Sequence, residues 1–598
     1  MTYIKQRVAM IKLSRKKVLL GMAGMLCGVG ALYGCSNFLT DASKPQGTLD
    51  ATTLANKSGV EGTLIAAYRQ LDRGVFGAAA NNWVFGSITS DDAYKGSEAS
   101  DAGALDPIEQ YQWSAAGVEG VLNEKWSAEY EGVVRSNGTI NLLKSVVASS
   151  PTAIPATDAK SIEGEAIFLR AHYHFEAWRM WGNVPYFRET DTDFRKPNMP
   201  KADVAKEIIK DLDAAIALLP ATPRDKGRVS SWSAKAYKGR VQMYNGQFAD
   251  ALATLRDVKA NGPFALEVSF DRVWTGFSAF ENGKETILAY EASANDGQAN
   301  GENANNGARL TFPHSGSPFG CCGFHQPSQN LVNYFATDAV TGLPAALTNP
   351  NWNASNANFT SAVKTPVDPR LDYSVGRDGV PYKDWGPHTP EWIRSPSYSG
   401  TYSNKKNVHE KASGAESNVG WNNPQLNSVN IHIFRYADML LMLAEAEIEA
   451  GSLENARTIV NQIRTRAAVK VQGPGTSAAN TYVPINDASV TYANYKIGTY
   501  DAPFASQAEA RQAVRAERRL ELAMEGVRFF DLRRWGTAET TLNGYINGVA
   551  GGSEKSRRGQ LGNSAPYAAR HALFPIPAIQ IELSKGGTGA GLTQNPGW

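Results

Sequence analysis

From residue 53 onward, stretches in which apolar side chains recur every three to four positions alternate with stretches in which they do not. Leu54, Val60, Leu64, Ile65 and Tyr68 predict a helix over 53–71. The same spacing returns over 121–147, 161–181 and 202–219, where Pro220 ends the run. Residues 236–258 read as helix, an Asn245-Gly246 turn, and a second helix carrying Phe248, Ala251 and Leu255. Shifted by 205 residues, 436–463 repeat that pattern with an Ala450-Gly451 turn followed by Leu453, Ala456 and Val460. In the first half of that repeat, Tyr436, Met439, Leu440, Leu443, Ala444 and Ile448 fall on one helical stripe, which needs a neighbour to cover it.

Both helix pairs resemble tetratricopeptide hairpins, which bury such stripes by stacking. Between them, 261–430 is aromatic, rich in Gly, Asn, Ser and Pro, and poorly periodic. So long a stretch is not a structureless loop inside a compact domain, and it predicts short strands and helices of its own. Residues 74–114 lose periodicity in the same way while carrying Trp83, Phe85, Tyr94, Tyr111 and Trp113, which reads as a long functional loop region. The expected fold is mainly α: a tetratricopeptide-like helix-pair scaffold with an inserted loop-rich subdomain. An N-terminal helical region spans 51–260, the insertion 261–430, and a C-terminal helical region 431–598.

Ahead of these elements, Lys5, Arg7, Lys12, Arg15, Lys16 and Lys17 precede an apolar, glycine-rich run over 18–32, and no acidic residue occurs before Cys35. Leu32-Tyr33-Gly34-Cys35 fits a lipoprotein signal peptide over 1–34, with Cys35 lipidated and 35–50 a polar tether. Acyl chains contribute roughly 0.8 kcal/mol per buried methylene, so they hold a globular domain on a bilayer without a spanning helix. Losing the six leader cations moves the formal balance from +2 to −4, and the remaining Lys and Arg are interspersed with acids. That distribution argues against a nucleic-acid partner. Besides Cys27 and Cys35, only the adjacent Cys321 and Cys322 remain, a candidate vicinal disulfide in an exported protein.

Four segments carry a likeness to one family. They are Cys35-Ser36-Asn37-Phe38-Leu39 with Lys44-Pro45-Gln46-Gly47; GEAIFLRAHYHFEAWRMWGNVPYF over 164–187; Asp368-Pro369-Arg370-Leu371-Asp372 ahead of Gly376-Arg377-Asp378-Gly379; and RAERRLELAMEGVRFFDLRRWG over 515–536 with Phe574-Pro575-Ile576-Pro577 and the closing LTQNPGW. In this order they resemble the SusD/RagB outer-membrane lipoproteins of the Bacteroidetes. The resemblance implies a non-catalytic protein, lipid-anchored on the outer membrane and exposed at the cell surface. It would bind oligo- or polysaccharide without a cofactor and partner a TonB-dependent transporter barrel; some relatives take peptides instead.

A sugar site needs aromatic platforms flanked by hydrogen-bonding groups. Two patches offer them: Trp83, Asp91, Asp92, Tyr94, Lys95 and Trp113 in the first non-periodic stretch, and Trp385, Trp392 and Arg394 in the insertion, with Tyr382 and Trp421. The Cys321-Cys322 turn is a further platform, and Asp91 with Asp92 is an alternative site for a hard cation such as calcium. Glu517, Glu521 and Glu525 step along one helix beside Arg518 and Arg519. Paired carboxylates roughly 5–9.5 Å apart in a cleft would suggest a glycoside hydrolase. So many arginines alongside favour an ion-pair network that docks the C-terminal helix, anchored by Phe529, Phe530 and Trp535. His172 and His174 lie two apart on a helix and point away from each other, so they share no metal.

Overall fold

The computed structural model describes residues 51–598 apart from 115, 422–424, 478–479 and 588. The leader, Cys35 and the tether lie outside the described residues. A short N-terminal unit ends at Gly59, and Val60–Trp598 forms one compact unit. Helices dominate it: α1 (Lys57–Tyr68, which begins in the N-terminal unit), α2 (Glu119–Ser149), α3 (Ala156–Trp181), α4 (Lys201–Leu218), α5 (Ser231–Tyr244) and α6 (Phe248–Asn261). After the insertion come α7 (Tyr436–Ala450), α8 (Leu453–Ala467), α9 (Gln507–Glu521) and α10 (Arg528–Arg534). The predicted helices coincide with these to within a few residues, save that the first resolves into a turn at Ala51–Leu54, α1, and a 3-10 turn at Arg69–Leu71.

Local chemistry sets the boundaries. Ser230, Ser452 and Ser506 each accept a hydrogen bond from a backbone N–H three residues on, capping α5, α8 and α9. Each helix packs on the next from α2 through α6, α6 packs on α7, and α7 packs on both α8 and α9. The two hairpins therefore stack although a long insertion separates them. Glycines permit the closest approaches: a Cβ on Gly132 of α2 would sit 2.5 Å from the Tyr173 ring of α3. The α7 stripe is buried throughout, with Met439, Leu440 and Ala444 at 0% exposure.

The insertion holds short strands and helical turns, as predicted, and two of its strands pair with segments that precede and follow it in the chain. Strands β1 (Ala93–Gly96), β2 (Thr286–Tyr290), β3 (Phe324–Pro327), β4 (Ile431–Arg435), β5 (Lys470–Ser477) and β6 (Asn480–Pro484) pair antiparallel as β1–β3, β2–β4 and β5–β6. The β2–β4 pair draws the two ends of the insertion together just before α7, which explains how a scaffold interrupted in sequence stays continuous in space.

Two expectations need correction. Residues 74–114 are not an exposed loop region: a π-helical turn at Trp83–Ile88 and strand β1 lie wholly inside the molecule. Several of their polar side chains are buried and bonded inside the molecule; Ser90 Oγ, for example, donates to Ser87 O at 2.7 Å, and just ahead of the stretch the Asp72 carboxylate accepts from Ala80 N at 2.9 Å and Gly307 N at 2.8 Å. Secondly, 515–536 is not one helix. It breaks after Glu521, where Met524 and Gly526 take left-handed φ of 64° and 69°, and α10 starts only at Arg528.

Candidate functional site

The first predicted patch is interior. Trp83 (0% exposed) donates from Nε1 to Val75 O at 3.0 Å and packs near Phe76 and Phe324; Trp113 stacks on Phe574 with ring centres 4.3 Å apart. Tyr94 donates to Glu554 and accepts from Gln329 N at 3.0 Å, while Lys95 is held by Asp101 O and Asp106. Asp91 and Asp92 belong to the arginines of the C-terminal motif. Arg528 reaches Asp91 at 2.8 and 3.0 Å, and Arg519 reaches Asp91 at 3.1 Å and Asp92 at 2.9 Å. Burial alone would raise the Asp91 carboxyl; the two guanidinium groups outweigh it and hold it down at about 2. These six residues present nothing to an external ligand. With two guanidinium groups already neutralising the acid pair, the calcium alternative falls too.

The loudest sequence motifs meet one another inside the molecule. Arg370 of the Asp-Pro-Arg segment bonds Asp368 at 2.8 Å, Glu517 at 2.6 Å and Glu521 at 2.9 Å; Arg464 takes the other side of Glu517 at 2.8 Å. Glu525 pairs with Arg435 at 2.8 Å and Lys406 at 2.6 Å. Burial would raise Glu521, but Arg466, Arg435 and Arg370 hold it well below the usual carboxylate range. The three carboxylates are engaged in a network of ion pairs, and Phe529 and Phe530 are buried elsewhere, with Phe529 against Trp113 and Phe574. His172 bonds Tyr237 Oη at 2.7 Å, and His174 accepts from Phe187 N at 3.1 Å. Among the described residues no group of three His, Cys, Asp or Glu side chains is placed to hold a metal ion.

The second patch divides. Trp392 (6% exposed) and Tyr382 (0%) are core, packed with Phe312, Phe319 and Val408. Arg394 is exposed but spent on Glu98 at 2.6 Å and Asp101 at 2.8 Å. Trp385 is half-buried, its Nε1 donating to His409 O at 2.9 Å, with the Lys411 ammonium 5.8 Å from its ring centre. Trp421 is 42% exposed, the only tryptophan among the described exposed large apolar side chains.

A short chain of contacts links the two outer tryptophans. Trp421 donates from Nε1 to Gln425 Oε1 at 2.6 Å; Gln425 in turn donates from Nε2 to Phe319 O at 3.1 Å and to Cys321 O. The Phe319 ring lies 4.9 Å from Trp385. Cys321 and Cys322 are joined by a disulfide, Cys321 half-buried and Cys322 buried. The Arg309 guanidinium lies 5.1 Å over Trp421. The vicinal disulfide turn thus sits between an exposed and a half-exposed indole, each with a cation against its face. Such a surface offers flat apolar faces and two cations, while Gln425, at 0% exposure and with its amide fully bonded, holds the indole and the turn in place. Gln425 and Arg309 were not foreseen; neither lies in a pattern that distinguishes it from other polar residues of the insertion.

Residues 284–598 match the family model described as the SusD family, and residues 48–243 match one described as starch-binding associating with outer membrane. The chain belongs to the SusD family. A SusD-like protein of Formosa agariphila is 26% identical over 443 residues, covering 71% of this chain and 74% of that protein. A SusD-like protein of Bacteroides fragilis shares the fold at a TM-score of 0.66 and 20% identity, over 92% of this chain and 99% of its own. Surface glycan-binding protein A of Bacteroides thetaiotaomicron, solved in complex with laminarihexaose, superimposes at a TM-score of 0.62 and 19% identity, over 90% and 99%. This SusD-family chain therefore keeps the helical scaffold across nearly its whole described length at low sequence identity.

Proposed function

We propose that this SusD-family protein is a non-catalytic surface glycan-binding lipoprotein, tethered through Cys35, that captures oligo- or polysaccharide and hands it to a TonB-dependent outer-membrane transporter. Membership of the family supports the transport role, and the relative crystallised with laminarihexaose supports the ligand class. The observation that carries the reading is the outer face of the insertion, where the buried Gln425 and Phe319 link Trp421, the Cys321-Cys322 turn and Trp385. Sugar C–H faces lie on indole rings, while the Arg309 guanidinium and the Lys411 ammonium take the hydroxyls. The helical scaffold supplies the surface that meets the transporter.

Isothermal titration of the mature protein against a polysaccharide panel that includes laminarin tests this. Trp421→Ala is expected to weaken the bound glycan at least tenfold, and Trp385→Ala to weaken it less because that ring is half-buried. No heat with any glycan alongside heat with peptide mixtures overturns the carbohydrate reading; unchanged affinity in both variants removes the site.

A further inference from the structure

A second charged feature lies in the scaffold, far along the chain from the platform residues and built on the end of the C-terminal motif. Two adjoining cavities of about 290 and 540 Å³ share Lys201, Tyr244, Arg533 and Arg534 in their walls. The larger is of the size that holds small ligands, about 300–1,000 Å³. The smaller adds Arg179 and the larger adds Arg511 and Arg515, so six cations converge from α3, the start of α4, α9, and α10.

Acids answer only some of them. Arg534 pairs with Glu445 at 2.6 Å, Arg511 with Glu449 at 2.6 Å, and Arg179 with Glu176 at 2.6 Å. Lys201, Arg515 and Arg533 have no carboxylate at ion-pair distance, although Glu445 and Glu449 act on Arg515 from further off; Lys201 lies 5.5 Å over Trp178, Arg515 5.0 Å over Trp535, and Arg533 5.4 Å over Phe529. Nη1 of Arg533 has no hydrogen-bond partner, and neither does Nη1 of Arg179, a residue only 5% exposed. Burial and the neighbouring Arg179 lower Arg533 to about 10, against the opposing effect of Tyr567 and Tyr244; burial, with Arg533 nearby, also lowers Lys201. Cations that converge with too few acids beside them repel one another, and an oxyanion bound among them relieves that cost.

We infer that this arginine-lined cavity is a binding site for an acidic sugar, whose carboxylate or sulfate ester is taken by Arg533, Arg515 and Lys201 while Trp535 and Tyr244 flank the ring. The sugar part rests on the glycan-binding reading above; the anion part rests on the cavity alone. Tyr244 and Trp535 are half-buried, so their rings border space that the ligand occupies.

Isothermal titration of the mature protein with glucuronate, glucose 6-sulfate, glucose, inorganic sulfate and an Asp-Glu peptide tests the site. Glucuronate or glucose 6-sulfate is expected to bind at least tenfold tighter than glucose and inorganic sulfate, with affinity falling as salt rises. Lys201→Gln and Arg515→Gln are at partly exposed positions and leave the fold intact; each is expected to weaken the acidic sugar about tenfold. Trp421→Ala leaves it unchanged, so loss of the surface site and loss of this one are read separately. Equal binding of glucose and glucuronate, inorganic sulfate bound as tightly as the acidic sugars (an adventitious ion only), heat with the peptide alone, or affinities indifferent to both variants overturn the assignment.

Discussion

Glu109 shows what single residues of this interior do. Its Oε1 accepts from Lys95 N at 3.0 Å, while its Oε2 is buried with no partner. Burial, opposed by the Lys95 N–H and ammonium, raises its pKa from 4.5 to about 7. A raised carboxyl binds its proton more tightly folded than unfolded. Its contribution to stability is therefore full below pH 4.5 and lost as pH climbs through 7. At 1.36 kcal/mol per unit, the loss is at most about 3 kcal/mol. Glu109→Gln carries no such proton, so urea unfolding at pH 5 and pH 8 should find the parent losing that much relative to the variant. Parallel pH profiles would refute it. The same physics explains why the first predicted patch misled: Asp, Asn and Trp in a glycine-rich stretch look solvent-facing, yet here each of the acids has an interior partner. Composition records polarity and is silent on whether water or Arg519 satisfies it.

At the scale of elements, helices were legible because their apolar spacing is local, and the repeat at 205 residues is a property of two hairpins that stack. The break between α9 and α10 was not legible. Continuous apolar and acidic spacing runs across it, and what ends α9 is a turn pressed against the π-helical segment at Trp83–Ile88. A Cβ on Gly526 would stand 1.9 Å from Asn81 O, with φ at 69°, and one on Gly86 would stand 1.7 Å from Gly526 O. Gly536, just after α10, has φ of 68° but nothing within 4 Å of such a Cβ. The pair separates backbone strain from collision. Gly536→Ala is expected to cost about 1 kcal/mol for φ alone, whereas Gly526→Ala adds a clash with backbone that cannot rotate away, about 3 kcal/mol in all. Equal costs in chemical denaturation would mean the two segments are not in contact.

For the molecule as a whole, the question is what joins the scaffold to the last residues of the chain. The closing LTQNPGW segment marks the family in sequence, but its work appears only in three dimensions. Asn595 donates from Nδ2 to Trp181 O at 3.0 Å and Phe574 O at 2.8 Å, clasping the end of α3 to the segment beside it. Trp181 Nε1 donates to Pro575 O at 3.1 Å, and Phe574 N to Met180 O at 3.1 Å. Asn595 is 3% exposed, so water does not replace the amide if it is removed. Asn595→Ala strands two buried carbonyls, each costing about 1–3 kcal/mol. Asn595→Asp keeps the shape but sets a carboxylate oxygen against those carbonyls, so it should destabilise at least as much. Because Val60–Trp598 is one compact unit, calorimetry should show each variant melting in a single transition at a lower temperature than the parent. A new early transition, with the main one unmoved, would mean that the closing segment folds apart from α3.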